Sequence, residues 1–282
     1  MDLWIKDIAL IVLDFDGTLV PRKRSDDDFD DELYEILNAI QNIGVKIIIA
    51  TGRHDSYIRK RIKRFEFEYI IGYCGNVMYP KRMNQNYCFK KAELKAILEH
   101  FKHNKDVELK FYTEDGIACA SNDYMQNKLI ERSLEKYHIN DINGVLAFNI
   151  EEYLDSNCEI SFSRICIRLK NWDDKEEIKK QFSNLFKDYR LVKTGHQQFE
   201  VLHNTRSKAS QIKEVMRVYN LSNEQVITIG DDENDYEMLN EFPYSYYVGK
   251  QNQELIQVAG FVEQDCKSVL KEILKNYGEN HV

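Results

Sequence analysis

The stretch VLDFDGTLV, residues 12–20, places two carboxylates directly behind a run of apolar residues. The run IALIVLD (8–14) is short, unbroken and rich in β-branched side chains, which is typical of a central parallel strand covered on both faces. Asp14 and Asp16 then follow the end of that strand. Because closely spaced or buried carboxylates are costly without a compensating cation, we expect the rest of the chain to provide for one.

Predicted strands and helices alternate in the N-terminal and C-terminal parts of the chain. Ser25 is expected to cap the first helix, and Gly44 is expected to end it. Strands are predicted at VKIIIA (45–50), EYIIGY (68–73), QVITIGD (225–231) and YSYYVG (244–249), and helices at about 54–65, 207–220, 234–242 and from Asp265 onward. This alternation predicts a parallel sheet with helices on both faces.

The middle of the chain has a different pattern. VELKFYTE (107–114) and SRICIRLK (163–170) alternate polar and apolar residues, which favours an antiparallel sheet with one wet face. Amphipathic helices are predicted near 91–103, 122–137 and 173–187. We therefore expect an α+β domain at 81–189, inserted into a parallel-sheet domain made of 1–80 and 190–282.

Composition narrows the class of protein. The 282 residues are 43% hydrophobic and 30% charged, with a net charge of −8, which is typical of a soluble globular protein and argues against a general nucleic-acid binder. The six cysteines form no C-x-x-C pair and are expected to be reduced thiols in the cytoplasm. No signal peptide or bilayer-spanning stretch is recognised, so no membrane partner is expected. The composition leaves open whether the protein is a monomer or a homodimer.

Two charged groups of residues have plainer interpretations. The basic run RKRIKR (59–64) is expected to be the solvated face of a helix, with Ile58, Ile62 and Phe65 pointing inward, and not a nucleic-acid surface. His100 and His103 are expected to be surface histidines and not metal ligands.

Several polar residues follow strands of the predicted parallel sheet, where ligands bind in such folds. They are Asp14, Asp16, Thr51, Asp231, Asp232, Asn234 and Asp235. The acids at 231–235 could simply favour a helix start. Together with Asp14 and Asp16, however, they predict a Mg²⁺ site, and Lys208 adds a positive charge. Such a site suits a phosphoryl group that one aspartate attacks while the other transfers protons.

Four ordered motifs resemble those of the haloacid dehalogenase-like hydrolases: DFDGTLV (14–20), ATGR (50–53), Lys208 in RSKASQI, and GDDENDYEML (230–239). GNVMYP (75–80) is similar to the Asn-Gly-Ala segment of the Cof-type phosphatases, although Val77 stands where that family usually has glycine. The resemblance implies an α/β fold, with a Rossmann-like parallel core and an inserted α+β cap of type IIB between the second and third motifs.

The resemblance also implies a role for each matching residue. Asp14 would be the nucleophile and a metal ligand, and Asp16 the general acid/base and a metal ligand through its backbone carbonyl. Asp231 would be a further metal ligand, and Asp235 either a ligand or a support. The phosphate would be bound by Thr51, Gly52, Lys208 and Asn234. The substrate would contact Arg53 and Asn76.

The expected activity is Mg²⁺-dependent hydrolysis of a small phosphorylated metabolite, a sugar phosphate or a cofactor-type ester, through an aspartyl-phosphate. A phosphomutase or phosphotransferase would use the same residues and differ only in the acceptor. A catalytically idle binding protein on this fold is the alternative from another class, although such a protein has no chemical need for the complete acid–lysine set.

Overall fold

The computed structural model describes residues 8–21, 29–80, 86–114, 116, 118–120, 150–155, 161–249 and 251–279. The chain divides into two compact units. The first unit consists of Met1–Gln85 and Thr205–Val282, and the second of Asn86–Asn204.

In chain order the described strands are β1 (Leu10–Leu13), β2 (Lys46–Ala50), β3 (Tyr69–Gly72), β4 (Val77–Tyr79), β5 (Val107–Thr113), β6 (Ala118–Ala120), β7 (Phe162–Leu169), β8 (Tyr189–Lys193), β9 (Gln198–His203), β10 (Val226–Gly230), β11 (Tyr244–Tyr247) and β12 (Phe261–Val262). The described α-helices are α1 (Asp31–Asn42), α2 (Asp55–Arg61), α3 (Lys91–Phe101), α4 (Ile150–Asp155), α5 (Lys175–Leu185), α6 (Lys208–Tyr219), α7 (Tyr236–Glu241), α8 (Gln253–Val258) and α9 (Cys266–Glu279).

The first unit is built on a sheet with the strand order β12-β11-β10-β1-β2-β3-β4. Its strands are parallel except β4, which is antiparallel to β3. The central strand β1 is fully buried because its apolar side chains on the two sides of the sheet enter two different hydrophobic clusters. The strand–helix alternation of the sequence thus produces the predicted parallel sheet.

Helix α1 shows how local chemistry sets the ends of an element. Asp30 is its N-cap and accepts a hydrogen bond from the Leu33 amide at 2.9 Å. The helix ends at Asn42, and Gly44 follows with a φ of +89°, as its role as the helix stop requires. The helix start therefore lies at Asp30 and not at the expected cap Ser25, which falls outside the described residues.

The second unit is an antiparallel sheet with the strand order β6-β5-β7-β9-β8. Helices α3, α4 and α5 contribute apolar side chains to its hydrophobic core. The expected boundary at residue 190 differs from the structure, because β8 and β9 form an antiparallel pair within this sheet and the unit extends to Asn204. The helix predicted at 122–137 lies outside the described residues.

The basic run at 59–64 is helical only as far as Arg61, where α2 ends, so the expectation of one continuous helix face is wrong for Lys63 and Arg64. Ile58, Ile62 and Phe65 are buried, as predicted. The guanidinium groups of Arg59, Arg61 and Arg64 lie over the rings of Tyr79, Tyr57 and Tyr34, at 4.2, 4.3 and 3.7 Å from the ring centroids. Within the described residues, none of the helices is long and apolar enough to cross a membrane.

Candidate active site

The candidate site lies at the carboxyl edge of the parallel sheet, where the loops after several strands are tied to their neighbours. The backbone amide of Asp14 donates to the Ile229 carbonyl at 2.9 Å, which links the end of β1 to β10. The amide of Thr51 donates to the Ile71 carbonyl at 2.8 Å, which links β2 to β3. The topology therefore brings the residues that follow distant strands to one edge.

The centre of the site is a buried lysine between two carboxylates. Lys208 Nζ donates to Asp14 Oδ1 and to Asp235 Oδ1, each at 2.6 Å. The side chain of Lys208 is fully buried, as is that of Asp235, and that of Asp14 is nearly so. Lys208 is the first residue of α6, whose N-cap Ser207 accepts a hydrogen bond from the Ser210 amide at 3.0 Å.

Asp235 holds the acidic loop in shape. Its Oδ1 accepts from Lys208, and its Oδ2 accepts from the backbone amides of Asp231 at 2.9 Å and Asp232 at 3.1 Å. A Cβ at Gly230 would lie 2.6 Å from Asp235 Cγ, so only glycine permits this close approach. Both oxygens of Asp235 are thus occupied by donors of the protein itself.

The expectation that acids at 231–235 favour a helix start holds for Asp232, and Asp235 completes the same cap by accepting from the Asp232 amide. Asp232 caps the short 3-10 turn Glu233–Asp235 and accepts from the Glu233 amide at 2.9 Å. Asp231 instead faces the other carboxylates: one oxygen each from Asp14, Asp231 and Asp235 lie within 4.8 Å of one another. Thr18 Oγ1 donates to Asp231 Oδ1 at 3.4 Å, so the loop after β1 also contacts Asp231.

The electrostatics of this cluster follow from burial and excess negative charge. Burial raises the pKa of Asp14 well above its ordinary value, the charges of Asp235 and Asp231 raise it further, and Lys208 opposes the rise. Burial alone would lower the pKa of Lys208, but Asp14 and Asp235 outweigh it and raise that pKa. The cluster therefore carries more negative charge than Lys208 can neutralise.

The second aspartate of the DFD motif has a different partner. Its carboxylate forms a two-pronged ion pair with Arg53, from Nε to Oδ2 at 2.8 Å and from Nη2 to Oδ1 at 2.9 Å. The Asp16 carboxylate is thus engaged outside the three-acid cluster, and its predicted role as a metal ligand depends on its backbone carbonyl. Arg53 also lies over the Tyr57 ring, 4.6 Å from its centroid.

The segment that carries Thr51 and Gly52 forms one wall of the site. The Thr51 hydroxyl accepts from the Arg53 amide at 3.1 Å. A Cβ at Gly52 would lie 3.5 Å from Cys74 Sγ and 3.8 Å from Asn234 Nδ2, so these two side chains face that glycine. Asn234 Nδ2 donates to Cys74 Sγ at 3.7 Å.

Sequence reasoning did not select Cys74. It selected Asn76, which is buried and follows the 3-10 turn Tyr73–Gly75 as its C-cap. Cys74, two residues earlier, is the residue of this loop whose Sγ accepts a hydrogen bond from Asn234. The backbone reversal that orients Cys74 depends on positive φ angles at Tyr73, Cys74 and Gly75, and only the glycine signals such a turn in a sequence.

Comparison with known proteins identifies the class of protein that this fold and site define. The family model of the haloacid dehalogenase-like hydrolases matches residues 11–271. The chain belongs to that family, which confirms the resemblance seen in its four motifs.

The particular relatives are distant but extend along nearly the whole chain. The Bacillus subtilis protein named "Putative phosphatase YxeH" is 22% identical over 89% of this chain and 91% of its own length. A haloacid dehalogenase-like hydrolase from B. subtilis has a TM-score of 0.75 at 18% identity, over 94% of this chain and 99% of that one. The subclass IIB sugar phosphatase BT4131 has a TM-score of 0.70 at 20% identity, over 97% and 98%.

Proposed function

We propose that the protein is a Mg²⁺-dependent phosphatase that hydrolyses a small phosphorylated metabolite through an aspartyl-phosphate. The observation that carries the proposal is the cluster of Asp14, Asp231 and Asp235, three neighbouring carboxylates of which two share Lys208 as their cation. Structural ion pairs are normally balanced, whereas a metal-assisted phosphoryl-transfer site requires spare carboxylate oxygens.

The donors in this cluster fit magnesium. They are hard carboxylate oxygens, close enough together to contact one small ion. Asp14, Asp231 and the backbone carbonyl of Asp16 would hold the ion, and Asp235 would position Lys208 and Asp231, because both of its oxygens already accept hydrogen bonds. When bound, Mg²⁺ would neutralise negative charge on the phosphoryl oxygens and on Asp14.

The reaction divides between the two aspartates that follow β1. A carboxylate oxygen of Asp14 forms a bond to phosphorus, and the ester P–O bond breaks with its electron pair moving to the alcohol oxygen. Asp16 gives that oxygen a proton and then removes one from the water that attacks the aspartyl-phosphate, which releases inorganic phosphate and regenerates Asp14. Arg53 must give up at least part of its ion pair for Asp16 to carry a proton.

Phosphate binding falls to the residues around this pair. Lys208, fixed between two carboxylates, supplies a positive charge next to Asp14. The Thr51 hydroxyl, the Gly52 backbone and the Asn234 amide are the proposed polar contacts, and Arg53 and Asn76 the proposed substrate contacts. The substrate class follows the structural neighbour described as a sugar phosphatase, so sugar phosphates are the first esters to test.

A panel of phosphate esters, with sugar phosphates first, tests the proposal by release of inorganic phosphate with Mg²⁺ and with EDTA. We expect Mg²⁺-dependent release, and we expect Asp14→Asn to lower kcat by about 10⁴-fold or more, because it removes the nucleophile. Asp30→Asn is the matched control, since asparagine also caps α1. Normal turnover by the Asp14 variant, or no release from any ester by the folded wild type, would contradict the proposal.

A further inference from the structure

We propose that Cys74 is a positioning residue of the active site, which orients the amide of Asn234 toward a bound phosphoryl group. This inference rests on the proposed function. Cys74 lies in the loop after β3, outside the four sequence motifs. Its proposed role is in phosphate binding and not in the chemical steps.

The backbone of this loop is held in an uncommon conformation. Tyr73 and Cys74 have φ angles of +49° and +54°, and Gly75 has one of +108°. Residues other than glycine are seldom found there, and such strain persists only where surrounding contacts impose it. Because strained backbone is concentrated at functional sites, the conformation of this loop favours a functional role for one of its side chains.

Those contacts come from both neighbouring segments of the site. The amides of Tyr73 and Cys74 donate to the carbonyls of Arg53 and Thr51, each at 3.0 Å. On the other side, a Cβ at Gly75 would lie 2.3 Å from the Ser207 carbonyl oxygen, so the loop presses against the start of the helix that carries Lys208. The loop thus packs between the Thr51 segment on one side and the start of α6 on the other.

The conformation directs the Cys74 thiol to the middle of the proposed phosphate contacts. Its Sγ accepts from Asn234 Nδ2 at 3.7 Å, faces Gly52, and interacts electrostatically with Lys208. The thiol is buried, 1% exposed, so water does not compete for the Asn234 amide at that point. A side chain that bonds to Asn234 and lies next to Gly52 can fix the spacing of these two segments, and a weak acceptor leaves the amide able to bind phosphate as well.

Kinetics of Cys74→Ala and Cys74→Ser test this role. We expect Cys74→Ala to raise KM, and the inhibition constant of inorganic phosphate, about five- to tenfold, which corresponds to the loss of one neutral hydrogen bond. We expect kcat to stay within about twofold, because ground-state and transition-state binding are lost together. Cys74→Ser retains an acceptor of similar shape and should recover most of the affinity.

A double-mutant cycle separates positioning from simple packing. In an Asn234→Ala background, Cys74→Ala should add almost nothing to KM, because its partner is already gone. Val269→Ala is the control: Val269 is equally buried and packs in the hydrophobic core of the same unit, so its truncation should lower Tm and leave KM and phosphate inhibition unchanged.

The outcomes are distinguishable. If the wild type hydrolyses esters but Cys74→Ala behaves like Val269→Ala, or if the Cys74 and Asn234 effects multiply, the positioning role is wrong and the phosphatase assignment stands. A wild type that neither hydrolyses any ester nor binds inorganic phosphate overturns the assignment and this inference together.

Discussion

The two units of the chain bury charged groups in opposite ways. In the second unit, Glu200 on β9 is almost fully buried, and Arg164 on β7 donates from Nε to both of its oxygens at 2.8 Å. Thr194 Oγ1 and Cys166 Sγ also donate to Glu200, at 3.1 and 3.4 Å. In the first unit, Asp14 and Asp235 share Lys208, and Asp231 lies close to both carboxylates.

The difference in charge balance separates a structural ion pair from a cluster that is proposed to bind a metal. The pair of Glu200 and Arg164 is balanced in charge, and its carboxylate is saturated with donors, so it needs nothing further. The cluster at Asp14 is unbalanced: burial raises the pKa of the proposed nucleophile, and the charges of Asp235 and Asp231 raise it further against the opposing charge of Lys208. Imbalance, and not burial or acidity alone, distinguishes the candidate active site from a structural ion pair.

After loss of the nucleophile itself, the largest expected effect comes from removing the cation that Asp14 shares with Asp235. Lys208→Met should lower kcat/KM by about 10²–10³-fold or more, because a positive charge beside the phosphoryl group is lost. Phosphate release measures this effect. Lys213→Met is the matched control on the same helix. Lys213 forms a surface ion pair with Glu241, so its loss should change activity and stability little. Equal activity of the two variants would remove Lys208 from the mechanism.

Breaking the balanced pair should affect stability instead. Glu200→Gln leaves Arg164 buried without a carboxylate and should cost about 3–5 kcal/mol of unfolding free energy, measured by denaturant unfolding. The stabilisation of the first unit by Mg²⁺ should persist in this variant. Glu177→Gln, on the exposed face of α5, is the control and should cost less than about 0.5 kcal/mol. A Glu200 variant as stable as this control would show that the pair contributes nothing.

Adding Mg²⁺ should correct the imbalance of the first unit. At a free concentration a hundred times the dissociation constant, the ion should stabilise the fold by about 2.7 kcal/mol, and EDTA should reverse the gain. Thermal unfolding measures the shift, with Na⁺ at equal ionic strength as the control. Asp14→Asn removes a proposed ligand and should reduce the Mg²⁺ effect; an undiminished shift would place the ion elsewhere.

The smallest expected effect is on the pH dependence of the metal-free protein. Because the pKa of Asp14 is raised in the folded state, the folded chain keeps a proton that the unfolded chain releases. Asp14 therefore reduces stability as pH rises from its ordinary pKa of 3.8 toward the raised value. In EDTA, the Tm of Asp14→Asn minus that of the wild type should increase over this range. A constant difference would show that Asp14 titrates normally.

Most of the first unit could be predicted from sequence, because its determinants are local. The run at 8–14, the glycine at 44 and the alternation of strands and helices each act over a few residues. The same holds for the four motifs, which follow the strands that place them. Two helix ends differ from the prediction. Helix α1 starts after Asp30, since several polar residues before Asp31 can act as N-caps, and α2 ends at Arg61 and not near residue 65.

What could not be predicted depends on contacts between distant residues. The pairing of β8 with β9, which moves the boundary to Asn204, is a tertiary property, although Gly195 in the turn is a signal that could have been used. The partners of Asp16 and the position of Cys74 depend on how separate loops meet. Pattern reasoning finds which residues reach the edge of the sheet, but not which of them bind one another.

Two close backbone approaches set limits for anyone who wishes to redesign this protein. At Gly75 and Gly230 an added methyl group would collide with the start of α6 and with Asp235, respectively, so neither position has room for another amino acid. Libraries meant to alter which ester is accepted should leave both positions unchanged. Variation there would displace the lysine or the acidic loop before it could alter selectivity.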